Sequence, residues 1–575
     1  MIQVENLSYE FPTKELYKKV SFTLEAGQHC AFIGSNGTGK TTLVDMIIDP
    51  DKYLYDGKIT KADECRIGYV NQFSKVEKDL EQTVFEYLSQ CFVENQAEVA
   101  KVCDEMAVAE DLEPLLEKYQ ELMDLFTAMD GDHYESNIGK QLHLVGMTNR
   151  EHTPLSALSG GEYKLLQVMK EMLLQPNLLI MDEPDVFLDF ENLNGLCKLL
   201  NSFSGTLLVI THNRYLLNHC FNKILHLENT DLQEFDGSYT EYNYALLQKK
   251  VELQEIAAEE QAEIERAEKM VERLRAEATR ASIASLGRTV HAKQTYLDRL
   301  KARAIKEPFV NLRRPRIVLP EVEVDNAQTV LRISDYQVAF DEVILKDVSF
   351  ELKAGEKVAI VGGNGTGKTT LLRDIYKNAH SSINIEETAT IGFLSQLHGE
   401  MLDESKTVYE EFEALGMDKK EEIAKYLEGY CFEEETLSQK IGSLSGGEQN
   451  LLQLAKISAG NADFLLLDEP TSHLDTYAQI ALEQAIKDYK GTVLMVSHDF
   501  YHIVNCADYI LFVDENSMRP MRIRTFRKKI YENHFPKDYL EKEQQKKDLE
   551  TKIASCLKAK DYKTAKKLCE ELMQA

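Results

Sequence analysis

The chain has 575 residues, of which 96 are Asp or Glu and 66 are Lys or Arg, for a formal net charge of −30 at pH 7. That length is too great for one core and points to three or four units of roughly 100–200 residues each. With 43% apolar residues, no apolar run near the ~18 of a membrane span, no basic-then-apolar leader in "MIQVENLSYEF" and ten scattered cysteines without a C-x-x-C pair, the composition speaks against membrane insertion, a zinc ribbon or an iron–sulfur cluster and predicts reduced thiols in the cytoplasm.

Taken in chain order, the first segment (1–243) reaches "AFIGSNGTGKTTL", an apolar strand, then G-x-x-x-x-G-K-T, then a helical pattern. That context makes Gly34, Ser35, Asn36, Gly37, Thr38, Gly39, Lys40, Thr41 and Thr42 a P-loop. Its glycines let backbone N–H groups and the helix N-terminus face phosphates, Lys40 neutralises the β- and γ-phosphates, and Thr41 offers a hydroxyl to Mg²⁺. Between "GYVNQ", ending at Gln72, and "LSGGEYKLLQ", with Ser159, Gly160 and Gly161, apolar residues at helical spacing predict an inserted helical element over about 77–140. "LLIMDEP" then supplies Asp182 and Glu183, "DVFLD" follows, and "LLVITHN" ends near His212.

The next segment (244–316) reads as two helices. Tyr244 to Ala278 lacks Gly and Pro and carries Leu253, Ala257, Ile264, Ala267, Val271, Leu274 and Ala278 at heptad positions. Val290, Leu297, Leu300 and Ala304 follow the expected breaker Gly287, which predicts an antiparallel hairpin whose first helix reaches roughly 50 Å at ~1.5 Å per residue. Charge is graded along it: Tyr244 to Glu268 holds three basic and seven acidic residues, whereas Lys269 to Arg316 holds thirteen basic and four acidic. The basic tip, with Arg275, Arg280, Ser282, Ile283, Leu286, Arg288, His291 and Lys293, suits phosphate and sugar contacts to a structured RNA. A solvated hairpin without a partner is the competing reading, with Ile283 and Leu286 capping its own seam.

In the third segment (317–518) the motifs return: "AIVGGNGTGKTTL" with Gly362, Gly363, Asn364, Gly365, Thr366, Gly367, Lys368, Thr369 and Thr370, then "GFLSQ" with Gln396, "LSGGEQNLLQ" with Ser445, Gly446 and Gly447, "FLLLDEP" with Asp468 and Glu469, "TSHLD", and "VLMVSHD" with His498. One offset separates Ser159 from Ser445, Glu183 from Glu469 and His212 from His498, so the chain is an internal duplication. The last segment (519–575), with sixteen basic and nine acidic residues, reads as a helical extension that either packs on one of the repeats or reaches RNA.

On these motifs the sequence resembles the ATP-binding cassette family, which implies an α/β fold: two P-loop ATP-binding cassettes joined by a long helical hairpin linker, with a helical C-terminal extension. The resemblance implies an ATPase with ATP and Mg²⁺ as cofactors. Phe11 and Phe340 would stack on adenine, Gln72 and Gln396 would sense Mg²⁺ and the attacking water, and Asp182 and Asp468 would hold the metal with Thr41 and Thr369. Glu183 and Glu469 would polarise water, and His212 and His498 would contact the γ-phosphate. In a head-to-tail pair within one chain, Ser445 and Gly447 would complete the site of Lys40, Asp182 and Glu183, and Ser159 and Gly161 that of Lys368, Asp468 and Glu469. Val186 and Phe187 of "DVFLD" depart from the family's crossing loop, through drift or through unequal hydrolysis at the two sites.

Tandem cassettes, a charged hairpin between them and a helical insertion in the first resemble the ABC-F family more closely. That implies a cytoplasmic monomer acting on the ribosome, entering the tRNA exit site with its linker tip near P-site tRNA and large-subunit rRNA, with no DNA or membrane partner. The basic extension and the divergent "DVFLD" resemble the branch that protects ribosomes from antibiotics; a housekeeping translation factor is the alternative. An importer ATPase would need a separate membrane partner, and a chromosome or repair ATPase would carry its coiled coil inside one cassette.

Overall fold

A computed structural model describes residues 1–11, 14–62, 65–71, 81–109, 111–186, 188–281, 284–303, 315–323, 325, 327–339, 343–417, 419–514, 516–534 and 539–574. The chain divides into two compact units, Met1–Ser238 with Arg313–Ile530, and Tyr239–Leu312 with Tyr531–Ala575.

The first unit contains the same two-sheet design twice. In the first copy a six-stranded sheet runs Ile67–Val70, Leu178–Asp182, Thr206–Ile210, His29–Ile33, Lys223–Glu228 and Asp231–Asp236, parallel except at the last pair. The runs "LLIMD" and "TLLVI" are buried at every position, as strands covered on both faces must be. Beside it an antiparallel sheet pairs Ile2–Phe11 with Lys14–Leu24 and Asp56–Lys61. Its inward residues Val4, Leu7 and Phe22 share one core with Phe32, Leu43, Ile180 and Leu225. The second copy repeats this with Ile391–Leu394, Phe464–Asp468, Thr492–Val496, Lys357–Val361, Tyr509–Asp514 and Ser517–Arg522. Both P-loops, both Asp-Glu pairs and both motif histidines follow the C-terminal ends of parallel strands, where an open α/β sheet leaves a crevice.

The copies differ in their helical layer. Each opens it with a reciprocal cap, Thr83 with Glu86 and Thr407 with Glu410. From there the first copy builds a 23-residue helix, Val84–Met106, followed by Glu113–Ala128; the second builds a 6-residue helix, Val408–Glu413, and then Lys420–Glu428.

The second unit is helical. Tyr239–Ala281 is 43 residues, about 65 Å long, and Ala284–Arg303 returns beside it, Leu297 packing with Ile264, Ala267 and Val271. The expected break at Gly287 is corrected: the second helix runs through it. A helical glycine costs only ~1 kcal/mol, less than the ~1.5–3 kcal/mol from burying one seam Val or Leu. The C-terminal helices Tyr539–Lys558 and Tyr562–Gln574 set Ile553, Ala565, Cys569 and Leu572 against Tyr244 and Val251 of the long helix. Lys566 Nζ reaches Glu255 Oε2 at 2.5 Å. The extension therefore docks on the linker's acidic stem, an option that the sequence reading did not weigh. Among the described residues no helix is long and apolar enough to cross a membrane.

Candidate active site

Each P-loop ends on a left-handed glycine, Gly39 (φ 96°) and Gly367 (φ 81°), directly before the helices Lys40–Ile48 and Lys368–Lys377. L side chains strain that conformation, so glycine is needed there. Lys40 Nζ donates to the Gly34 and Ser35 carbonyls at 2.9 and 3.0 Å, and Lys368 Nζ to those of Gly362 and Gly363 at 2.9 and 2.5 Å. Burial lowers the pKa of both lysines, opposed chiefly by the charges of Glu183 and Glu469. Beneath the first loop, buried Tyr17 donates its hydroxyl to Gly39 O at 2.5 Å; Leu345 lies beneath Gly367 in the second.

At the ends of Leu178–Asp182 and Phe464–Asp468, Thr41 Oγ1 donates to Asp182 Oδ2 (2.8 Å) and Thr369 Oγ1 to Asp468 Oδ1 (3.1 Å). Burial pushes both aspartates up to about 6, and Asp468 Oδ2 is buried without a hydrogen-bond partner. The next residues, Glu183 and Glu469, have φ of 44° and 47°, a conformation that costs a non-glycine residue about 1–3 kcal/mol. Their N–H groups donate to Ile210 O and Val496 O at 2.9 Å, which ties each corner to the neighbouring strand. His498 N donates to Glu469 Oε2 (3.1 Å), with His498 Nε2 3.5 Å from Oε1. Burial, reinforced by the charge of Asp468, pushes Glu469 up to about 8. Burial takes His212 and His498 down to about 3, so both imidazoles are neutral at pH 7.

The two copies meet across these loops. Ser159 and Ser445 cap the helices Gly160–Leu173 and Gly446–Ala459, each in a reciprocal pair with Glu162 or Glu448. Asn36 N donates to Asp475 Oδ2 (3.3 Å) and Asn36 Nδ2 to His473 O (2.8 Å), while Asn364 N donates to Asp189 Oδ2 (3.1 Å). Gly447 lies so close to Asn36 and to His473 O that a side chain would collide, and a Cβ on Gly161 would sit 3.3 Å from Asn364 Nδ2. Each P-loop thus faces the capped helix N-terminus of the other copy, a ready-made anion site. A cavity of about 580 Å³ is lined by Lys368, Gln396, Glu469 and His498 of one copy and Gly160, Glu183 and His212 of the other.

Phe11 ends its strand with 53% of its surface exposed. Gln72, Phe187 and Phe340 lie outside the described residues. On the linker hairpin Arg275, His291 and Lys293 are exposed; Ser282 and Ile283 lie outside the described residues, as do the side chains of Arg280, Leu286 and Arg288. Sequence reasoning missed Tyr17, Asp189, His473, Asp475 and Arg214. Asp189 and Asp475 were findable, since they close "DVFLD" and "TSHLD" at the same offset as the glutamates.

A P-loop, a strand-end Asp-Glu pair and a facing serine-capped helix from the other copy define an ATP hydrolase with composite sites. The family model described as ABC transporter matches residues 17–186 and 345–472, and a second model of the same description matches 225–311. The ATP-binding protein YdiF of Bacillus subtilis is 31% identical over 525 residues, covering 89% of this chain and 79% of that protein. ABC transporter F family member 2 of Arabidopsis thaliana is 29% identical (90% and 77% covered), and the energy-dependent translational throttle protein EttA of Escherichia coli is 28% identical (88% and 91% covered). The solved structure of RNase-L Inhibitor, 17% identical, superposes with a TM-score of 0.57 over 92% of this chain and 93% of its own, a likeness of fold. The chain belongs to the ABC ATPases and, within them, to the F family.

Proposed function

We propose that this protein is an ATP-driven factor that acts on the ribosome, with residues 1–243 and 317–518 as cassettes, 244–316 as the linker and 519–575 as an extension whose first residues complete the second cassette's sheet and whose helices Tyr539–Lys558 and Tyr562–Gln574 dock on the linker. The observation that carries this reading is the helical hairpin set in sequence between two complete cassettes. Its proximal helix is acidic and braced by the extension, while its distal part is basic and exposes Arg275, His291 and Lys293. The likeness to a translational throttle protein points the same way. Basic side chains of this kind bind RNA through phosphates, with affinity that falls as salt rises.

In the proposed cycle Lys40 and Lys368 leave their own loop carbonyls for the nucleotide's phosphates, and Ser445 and Ser159 meet the γ-phosphate from the opposite copy. Glu183 and Glu469 take a proton from the water that attacks γ-phosphorus, ADP departs, and neutral His212 and His498 hydrogen-bond the transferring group. The donor set fits Mg²⁺: a threonine hydroxyl beside a buried carboxylate in each site, with Asp468 Oδ2 unpartnered. Thr41 with Asp182 and Gln72, and Thr369 with Asp468 and Gln396, would hold the ion, which would neutralise charge on the β- and γ-phosphates.

The finer reading is that the linker tip, set near the peptidyl-transferase centre and P-site tRNA from the exit site, relieves inhibition by drugs bound there. In a reconstituted translation system, added protein should restore synthesis against lincosamides, pleuromutilins or streptogramins A, and deleting Thr279 to Thr289 should abolish relief while sparing most ATP turnover. No restoration against any of them removes the protection reading. A housekeeping role is the second reading, favoured by the likeness to the throttle protein; altered elongation on drug-free ribosomes is its signature. Both require that the Glu183→Gln/Glu469→Gln protein with ATP sediments with ribosomes in a sucrose gradient, and its absence from the ribosomal fractions defeats both.

A further inference from the structure

Two residues beyond His212, Arg214 crosses to the other copy. Its Nη2 donates to Asp499 Oδ2 at 3.2 Å and pairs with Glu483 Oε1, and its guanidinium carbon lies 4.9 Å from the centroid of the Tyr501 ring. The side chains are 11% (Arg214), 7% (Glu483) and 18% (Asp499) exposed, so these charges have little water to fall back on. The acceptors are themselves fixed. Asp499 Oδ1 caps the helix Phe500–Cys506 by accepting from Tyr501 N (2.8 Å) and His502 N (3.1 Å), and Asn505 Nδ2 donates to Glu483 Oε2 at 2.8 Å.

The cluster is not repeated at the matching positions of the other copy. At the offset that relates the copies, Phe500 stands for Arg214, Asn213 for Asp499 and Cys197 for Glu483, so neither the arginine nor either carboxylate is repeated. This ion cluster joins the two histidine loops: Asp499 follows His498, whose backbone N–H holds Glu469, and Arg214 follows the His212 loop beside Glu183 in the shared cavity. A shift of one loop is therefore transmitted to the other through a buried, doubly paired cation. Pulling the copies apart would leave that cation without its carboxylates and both carboxylates without their counter-charge.

We propose that Arg214 is a positioning residue that ties the His212 and His498 loops into one closing element, so that the two composite sites turn over as a coupled pair. The inference rests on the assignment of Glu183 and Glu469 as the bases of the two sites. Coupling is readable by additivity. With Arg214 intact, the residual ATP turnovers of the Glu183→Gln and Glu469→Gln variants should sum to well under half of the parent's. With Arg214→Leu the parent kcat should fall about tenfold, KM for ATP should move less than about twofold because no P-loop contact is lost, and the two residuals should sum to that lower parent rate. Arg214→Lys should restore part of kcat and of the coupling, which mere repair of packing would not do.

Asp499→Asn serves where Arg214→Leu fails to fold: it keeps the helix cap, as Asn213 does in the first copy, and removes only the charge. If the residuals in Arg214→Leu and Asp499→Asn still fall as far short of their parents as in the native background, the latch is wrong while the bases stand. If neither Glu→Gln variant lowers turnover in the native background, the assignment of the bases falls and the latch with it.

Discussion

At Glu183 an imidazole arrives from the opposite copy: His473 Nδ1 lies 3.8 Å from Oε2. At Glu469 both the hydrogen bond, through His498 N, and the imidazole near Oε1, His498 Nε2 at 3.5 Å, come from the same copy. The position matching His473 is Phe187, and a phenyl ring has no N–H to offer. The environments diverge accordingly. Burial pushes Glu183 up, but the hydrogen bond from His473, with the charge of Lys40, outweighs it and holds the carboxyl below its ordinary value, while burial and the charge of Asp468 push Glu469 up to about 8. Two sites with the same motifs are thus unlike at their carboxylates, Glu183 being met by His473 from the loop that crosses between the copies.

The widest test removes both carboxylates. Glu183→Gln/Glu469→Gln should lower ATP turnover by about 10²–10⁴-fold, the usual contribution of a general base, while nucleotide binding persists because the amide fills the same space. Turnover at the native rate would show that neither residue is the base, and the comparison of the sites would lose its subject. A smaller effect separates the two. Glu183→Gln should leave less residual turnover than Glu469→Gln, and His473→Phe, which gives the first site the residue type of the second, should narrow that gap by about threefold to tenfold. Equal residuals in the two single variants would leave "DVFLD" as drift.

Much of this was legible in the sequence because the chemistry is local. A P-loop, a strand-end Asp-Glu and a serine-glycine helix start each carry their function within a few residues, and the duplication supplied a second copy against which to read them. What crosses between copies was harder. Arg214 is one cation in an unremarkable "THNRY", and nothing within a single copy indicates that its acceptors, Glu483 and Asp499, lie far along the chain. The docking of the extension was hidden for the same reason: Val251 lies off the heptad seam that begins at Leu253, and nothing near it in the sequence points to Ile553 and Leu572, which pack against it. Gly287 misled in the other direction, since a breaker signal is weak inside a helix whose seam is paired.

The smallest difference between the sites lies under the P-loops, where Tyr17 donates to Gly39 O and Leu345 occupies the matching place below Gly367. A buried hydroxyl-to-carbonyl bond is worth roughly 0.5–1.5 kcal/mol net, and the glycine carbonyl it satisfies precedes Lys40, the lysine proposed to swing to the phosphates. Tyr17→Phe keeps the ring and its packing and deletes only that bond, making the first loop resemble the second. In a Lys368→Ala background, where the second site is disabled, Tyr17→Phe should raise the Kd for a non-hydrolysable ATP analogue about threefold. In the complementary Lys40→Ala background it should change nothing, since the tyrosine belongs to the first copy alone. An equal loss in both backgrounds would mean that Tyr17 acts on the stability of the whole unit, and this third difference between the sites would disappear.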